Sequence, residues 1–346
     1  MCGIFGYIGD SNAPEIIHQG LKRLEYRGYD SWGISIINGD KIETIKDIGH
    51  IPEKIERNLK STIGIGHTRW ATHGGVTITN AHPHISSDKR FVIAQNGIVE
   101  NYESLKNTLS KKGYIFNTQV DTEVILKLIE DNLKKNNDIR NAFIKAFKKL
   151  EGRNTVILLD SETKKIYAIR NGSPLILGVN KDNIYLASDP LAFNHLTKSI
   201  VEINNGELVG IEKGNFSIYD IFKEKEIKRK PKEEKLLNID IDKGKYDHYM
   251  LKEIVEQQFT VLNVSTGKPQ STVCLTANNP FKDQLIVQSQ KNCSVEVRDS
   301  NGRLTGRSGN HSKFHQFDTS CWQTGVYFIK SSAGNEEFVL KVVKSH

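Results

Sequence analysis

The sequence predicts an α+β fold over residues 1–240 and a small all-β sandwich over residues 272–346, with residues 241–271 as a linker. Three observations lead there. Many short apolar runs with a few helical stretches, and no strict strand–helix–strand alternation, suggest antiparallel layers. The composition changes after Glu256, where Gln258 to Ser271 contains Ser-Thr-Gly-Lys-Pro-Gln-Ser and reads as a connecting segment. Beyond it no helical period is found, and the apolar positions alternate as strands require.

In order, Ile4 to Ile8 reads as a first strand, and Pro14 to Glu25 as a helix with Ile16, Ile17, Leu21 and Leu24 on one face. Trp32 to Ile37 and Lys41 to Ile45 flank Asn38-Gly39-Asp40, a hairpin signal. Ile63 to Trp70 and Arg90 to Gln95 read as strands, followed by helices over Tyr102 to Lys112, Thr122 to Lys134 and Asp138 to Leu150. Asn154 to Asp160, Lys165 to Arg170, Leu175 to Val179 and Ile184 to Ala187 form a second strand group. In the last module, Leu285 to Gln288, Ser294 to Arg298, Val326 to Lys330 and Glu337 to Val343 are strand-like, with Asn301-Gly302 and Gly334-Asn335 as turns. No internal repeat is evident.

A chain of 346 residues can bury a real core, and its composition excludes fibrous and disordered classes. The formal charge is +7 with 26% charged residues, yet Glu interleaves with Lys and Arg from Lys223 to Lys235, as on a solvated surface. No aromatic-interleaved basic stripe points to nucleic acid. No uninterrupted apolar run reaches the length of a membrane span. Ile4 to Ile8 is too short for a secretory signal and is broken by Gly6, so a cytoplasmic location is expected. Four cysteines are too few for a disulfide scaffold, and Cys274, Cys293 and Cys321 are expected to be buried thiols.

Chemistry is concentrated at Cys2. Once Met1 is removed, one residue carries both a thiol, with a pKa of about 8.5, and an α-amine, with a pKa of about 7.7 to 8.0, able to accept the thiol's proton. Asn96 and Gly97 offer a side-chain and a backbone N–H for an oxyanion, although the same pair can be an ordinary turn. Arg69 has a donor fork fitted to a carboxylate, against the default of a surface arginine. Asp121 can pair with an ammonium or simply cap the helix that follows it. His67, His73, His82 and His84 fit no metal-binding spacing, so neither metal nor cofactor is expected.

Several runs resemble the glutaminase domain of the glutamine:fructose-6-phosphate aminotransferases, class II amidotransferases of the N-terminal nucleophile hydrolase superfamily. They are Cys-Gly-Ile-Phe-Gly from Cys2, Arg-Leu-Glu-Tyr-Arg-Gly-Tyr-Asp-Ser ending at Ser31, and His-Thr-Arg-Trp-Ala-Thr-His-Gly from His67. Asn-Ala-His-Pro-His from Asn80, Asn-Gly-Ile-Val-Glu-Asn from Asn96 and Asp-Thr-Glu-Val from Asp121 continue the series, and Asp-His-Tyr-Met-Leu-Lys-Glu-Ile from Asp247 extends the match towards Gln257. The resemblance implies a four-layer αββα sandwich in which Cys2 forms a glutamyl thioester from L-glutamine and releases ammonia. It also implies that Arg69 and Asp121 hold the glutamine α-carboxylate and α-amine, that Asn96 and Gly97 form the oxyanion hole, that Trp70, Thr72 and His73 line the pocket, and that Arg27 lies near the nucleophile. A homodimer is a further candidate assembly. Gln95 stands where the family commonly has histidine.

After Gln257 nothing resembles the family's isomerase lobes, so sugar amination is not expected. The last module instead resembles the C-terminal sorting domain of the type IX secretion system, through Asn-Pro-Phe-Lys-Asp-Gln-Leu from Asn279, Asp-Ser-Asn-Gly-Arg-Leu from Asp299, the run from Phe317 to Lys330, and the closing Phe-Val-Leu-Lys-Val-Val-Lys. Asn278 replaces that family's usual proline. The two resemblances imply opposite destinations. They fit a fusion, with a glutaminase as the leading reading and a secreted carrier recognised by the type IX machinery as the alternative.

Overall fold

The computed structural model describes residues 2–135, 137–233, 275–277, 284–299, 303–333 and 336–344. The chain divides into two compact units, Met1–Ile241 and Asp242–His346. The expected linker, the run from Asp247, Cys274 and both late turns lie outside the described residues.

The first unit opens with β1 (Gly3–Ile8), α1 (Ala13–Leu24), β2 (Ser31–Asn38), β3 (Lys41–Ile48), β4 (Ile63–Arg69), β5 (His84–Ile85) and β6 (Phe91–Gly97). Three helices follow: α2 (Tyr102–Lys111), α3 (Thr122–Leu133) and α4 (Ile139–Phe147). It closes with β7 (Asn154–Asp160), β8 (Lys165–Asn171), β9 (Ile176–Asn180), β10 (Asn183–Ala187), β11 (Ser199–Glu202), β12 (Glu207–Glu212), β13 (Asn215–Asp220), β14 (Lys225–Ile227) and β15 (Lys232–Glu233). The strands make two antiparallel sheets. One is ordered β15-β11-β9-β10-β1-β4-β2-β3, and the other β14-β13-β12-β8-β7-β6-β5.

Burial assigns the layers. Ile4, Ile63 and Ile65 of the first sheet pack with Val92, Ala94, Ile157 and Leu159 of the second, so a dry core separates the sheets. The opposite face of the first sheet receives α1 through Ile17, Leu21 and Leu24, beside Phe5, Tyr7 and Ile34. The opposite face of the second receives α2, α3 and α4 through Leu109, Val124, Leu128 and Phe143. This is the four-layer αββα arrangement that the resemblance implies. Both sheets are covered on both faces, which is why β1, β4 and β7 are buried along their whole length and read as apolar runs instead of alternating.

The expected hairpin is present, with Asn38 opposite Lys41 and Gly39 at φ +61°. α1 keeps the expected apolar face, with Glu15 in its first turn and Lys22 and Arg23 in its last, as the helix dipole favours. The strands β11 to β15 were not foreseen. The run from Lys223 that looks like a solvated surface does contain the exposed edge strand β14, and the Arg229 fork there grips the buried Glu207 at 2.7 Å with each nitrogen.

Among the described residues of the second unit every element is a strand, as expected. Its strands are β16 (Leu275–Ala277), β17 (Gln284–Asp299), β18 (Leu304–Asp318), β19 (Gly325–Ala333) and β20 (Glu336–Lys344). They form one hydrogen-bonded antiparallel set in which β17 pairs with β16, β18 and β19. Two of the expected strands are the two ends of β17, which shifts register against β18 around Cys293. Leu285, Val287, Val295, Val297, Ile329 and Val342 supply its core. Cys293 is buried as expected, but Cys321 is exposed, which corrects that expectation: it lies in the turn after β18.

Candidate active site

The antiparallel pairing of β1 with β4 sets Gly3 opposite Thr68, so the residue ahead of β1 meets those that leave β4. β4 ends at Arg69, one residue sooner than expected, and this releases the Trp70 amide from the sheet. The Trp70 N–H donates to Cys2 Sγ at 3.3 Å, and the thiol donates to the Trp70 carbonyl at 3.6 Å. Burial pushes the Cys2 thiol above its ordinary range. The Trp70 N–H, the amino-terminal charge, Arg69 and Arg27 pull it down without overcoming that effect. A thiol so placed needs a base beside it before it can attack.

Asn96 and Gly97 end β6, paired with Thr155 and Asn154 of β7, so the simple turn reading is overturned. Asn96 is buried and donates from Nδ2 to the Cys2 carbonyl at 3.0 Å. Gly97 adopts φ +134°, and a Cβ there would lie 2.0 Å from the Arg153 carbonyl oxygen. Only glycine fits that backbone.

Arg27 ends the short 3-10 turn Glu25–Arg27 and is buried. Its Nε donates to the Cys2 carbonyl at 3.2 Å and its Nη1 to Asp189 at 3.0 Å, while the Tyr26 hydroxyl donates to the same carboxylate at 2.7 Å. The next residue packs face to face with the Arg69–Trp70 peptide. A Cβ on Gly28 would fall 2.7 Å from the Arg69 carbonyl carbon, so a side chain there would displace the peptide whose N–H meets Cys2 Sγ.

Arg69 is 3% exposed, which overturns the surface-arginine reading. It donates to the Gly75 carbonyl at 3.1 Å and also to the His73 carbonyl, folding the loop after β4 around itself. Burial pushes its guanidinium down, and Cys2, Asp30 and Asp121 all lie close enough to pull it back up. Asp121 stands at the N-cap position of α3, but its side chain caps nothing. It accepts the Val99 N–H at 2.7 Å instead, which corrects the capping alternative. Trp70 is half-buried, with its ring edge-on to Tyr29, and Thr72 is exposed on the loop. The half-buried His73 ring meets Tyr102 edge-on.

Behind Asn96 lies a polar network inside the fold. His67 Nε2 faces both the Gln95 carbonyl at 2.9 Å and Asn96 Oδ1 at 3.2 Å. The rings of His67, His82 and His84 follow one another at 4.4 and 4.6 Å between centroids. Burial holds His67 down to about 4 and His82 and His84 well below the ordinary histidine range, so all three are neutral. Among the described residues no group of three or more His, Cys, Asp or Glu side chains is arranged to hold a metal ion.

Sequence reasoning assigned no role to Asp30, Tyr26, Gln95 or Asp189. Asp30 accepts the Ala71 N–H at 2.8 Å and so shapes the loop after β4. Asp30 and Tyr26 stand in the run that ends at Ser31, so their neighbourhood was visible. Asp189 lies 162 positions from Arg27, and no local pattern could have joined them.

Residues 67–195 match a glutamine amidotransferase domain, and residues 279–345 match a secretion system C-terminal sorting domain. The chain is 41% identical over 268 residues to a glutamine–fructose-6-phosphate aminotransferase (isomerizing) of Geobacillus kaustophilus, covering 76% of this chain and 44% of that protein. It is 43% identical over 273 residues to the enzyme of the same name from Pyrococcus horikoshii, covering 77% and 46%. Among solved structures, the glutamine phosphoribosylpyrophosphate amidotransferase from B. subtilis, complexed with ADP and GMP, aligns with a TM-score of 0.57 at 27% identity, over 64% of this chain and 49% of that one. The chain thus spans less than half the length of the curated relatives it matches.

Proposed function

We propose, from the premise that this chain carries a glutamine amidotransferase domain of the N-terminal nucleophile hydrolase type joined to a secretion-system C-terminal sorting domain, that it hydrolyses L-glutamine to glutamate and ammonia. The observation that carries the reading is the convergence at Cys2: its Sγ bonded to the Trp70 amide, and its carbonyl held by both Asn96 Nδ2 and Arg27 Nε.

With Met1 removed, the Cys2 α-amine takes the thiol proton as Sγ attacks the glutamine side-chain carbonyl. The C–S bond forms, and the carbonyl π electrons move onto oxygen, where Asn96 Nδ2–H and the Gly97 N–H stabilise the oxyanion. When the intermediate collapses, the C–N bond breaks, and the protonated amine returns its proton to the departing nitrogen, which leaves as ammonia. Water then attacks the thioester, giving its proton to the amine, and glutamate leaves as Sγ–H is restored. Arg69 and Asp121, buried and oppositely charged, hold the α-carboxylate and α-amine of glutamine. Trp70, Thr72 and His73 line the approach, and Arg27 fixes the Cys2 backbone.

The test is glutamate and ammonia release by the full chain beside Cys2→Ala, with the native amine of Cys2 established by mass. Equal rates end the proposal. We expect ammonia as the nitrogen product and no sugar amination, and we place the activity in the reducing cytoplasm, to be checked by cell fractionation. The sorting-domain match favours a second reading, in which the chain is an exported carrier handed to a secretion machine. Recovery of the chain outside the cell, cut ahead of Cys2 or not, selects it.

A further inference from the structure

The Asn96 carboxamide can serve an oxyanion only if its nitrogen, and not its oxygen, faces Cys2. Nitrogen and oxygen of such a group are told apart by their partners, and here the partners decide twice. On one side stands the Cys2 carbonyl, which can only accept, so the atom 3.0 Å from it is Nδ2. On the other side stands His67 Nε2, whose second neighbour is the Gln95 carbonyl at 2.9 Å, again an acceptor only. Nε2 therefore carries the ring proton and shares it between two oxygens, and the Asn96 atom facing it is Oδ1.

The same reasoning runs through the rest of the network. Asn154 Nδ2 donates to the Glu151 carbonyl at 3.1 Å, which turns Asn154 Oδ1 towards Gln95 Nε2 at 2.6 Å. Gln95 Oε1 then faces Thr122, whose hydroxyl must donate to it at 2.6 Å. The Thr122 oxygen is left to accept from His82 Nε2 at 2.8 Å. His82 thus has the same tautomer as His67, and the two bare Nδ1 atoms have no hydrogen-bond partner among the described residues. Backbone carbonyls at Glu151 and Gln95 fix the polarity of the whole set, and no member can turn over without setting two acceptors or two donors against each other.

We infer that His67 is a positioning residue for the proposed reaction, holding the Asn96 carboxamide through its Nε2–H so that Nδ2 faces the oxygen of the carbonyl attacked by Cys2. The inference rests on the glutaminase reading, because the orientation matters only if an oxyanion forms there. Asn96 Nδ2 has two hydrogens, and one suffices for the Cys2 carbonyl, so the second remains for the substrate. Without His67, the carboxamide can turn and present oxygen to a developing negative charge.

Glutamine and asparagine separate this role from simple packing, since a glutamine nitrogen reaches the position of Nε2 and an asparagine nitrogen only that of Nδ1. In the full chain, His67→Gln should keep kcat within about threefold, while His67→Asn should lose about 100- to 1000-fold, the range for one oxyanion donor, with KM within about twofold. In an Asn96→Ala background the two His67 variants should be equal. Equal kcat for His67→Gln and His67→Asn in the native background, or an undiminished difference between them in the Asn96→Ala background, overturns the inference. If His67→Asn does not fold, nitrogen NMR of the unaltered chain decides: a His67 ring protonated at Nε2 from pH 5.5 to 8.5 supports the assignment, and one protonated at Nδ1 overturns it. Absence of Cys2-dependent hydrolysis sinks the glutaminase reading itself. Cys2-dependent hydrolysis with indifferent His67 variants sinks only this inference.

Discussion

Replacing Gly97 with alanine tests the backbone that ends β6. The added Cβ would sit 2.0 Å from the Arg153 carbonyl oxygen and 3.0 Å from the Arg153 carbonyl carbon, so the strand end must move by more than an ångström to restore an ordinary contact. Overpacking of this kind and a non-glycine residue at φ +134° together destabilise by about 2 to 6 kcal/mol, offset by up to about 1 kcal/mol from a stiffer unfolded chain. For a unit of this size that corresponds to a fall of about 2 to 24 °C in the melting temperature of the first transition. The displacement also shifts the neighbouring Asn96 carboxamide, and a 1 Å misplacement in such a site lowers kcat by about 100-fold. Differential scanning calorimetry and glutamate release measure the two effects. Gly75→Ala is the stability control, because a Cβ there meets nothing closer than 3.9 Å, and it should melt within about 2 °C of the native chain. A Gly97→Ala protein that melts with the control and turns over within threefold of native would refute the claim that this peptide is constrained.

Three further outcomes are expected. Arg69→Ala should raise the KM for glutamine about 10- to 150-fold through the loss of charge-assisted hydrogen bonds, with Arg69→Lys in between, and an unchanged KM in steady-state assays counts against carboxylate binding. A chain carrying one extra residue ahead of Cys2 that resists removal should fold with an unchanged melting temperature yet release no ammonia, because its amine has become an amide; full activity excludes the amine as base. Burial holds His67 at about 4 when folded, so between pH 6.5 and 4 the unfolded chain binds a proton that the folded chain does not. Stability therefore falls as the pH drops, by about 2 kcal/mol from this residue at pH 5, and urea unfolding of His67→Gln should show a correspondingly smaller loss between pH 7 and 5.

Much of this was legible in the residue pattern. Runs such as Ile63 to Trp70 and Asn154 to Asp160 announce strands because sheets covered on both sides need apolar residues throughout, and the Asn-Gly-Asp turn ties β2 to β3. Cys2, Asn96, Arg69 and Asp121 were singled out by chemical type, and the structure brings them into one neighbourhood. Other features were hidden for definite reasons. β11 to β15 are short and interleaved with charge; β11 and β12 are buried through their pairing with β9 and β8, while β14 and β15 are exposed edges. β18 contains Arg-Ser-Gly-Asn-His-Ser-Lys, whose polarity masks a strand held by its pairing with β17. His67 was weighed only as a metal ligand. Its role as a donor depends on a carbonyl 28 positions away, and hydrogen-bond polarity is a property of the folded neighbourhood.

The placement of β1 has a consequence for how the protein is made and handled. Cys2 leads directly into β1, which is flanked by β10 and β4 and buried along its whole length. Under the proposed mechanism the unit can therefore be built to completion before the Cys2 amine is exposed, and cleavage of the peptide bond ahead of Cys2 completes a site whose other parts are already assembled. On that mechanism specific activity counts trimmed molecules and a melting curve counts folded ones, so the ratio of the two would measure how far trimming has gone in a preparation.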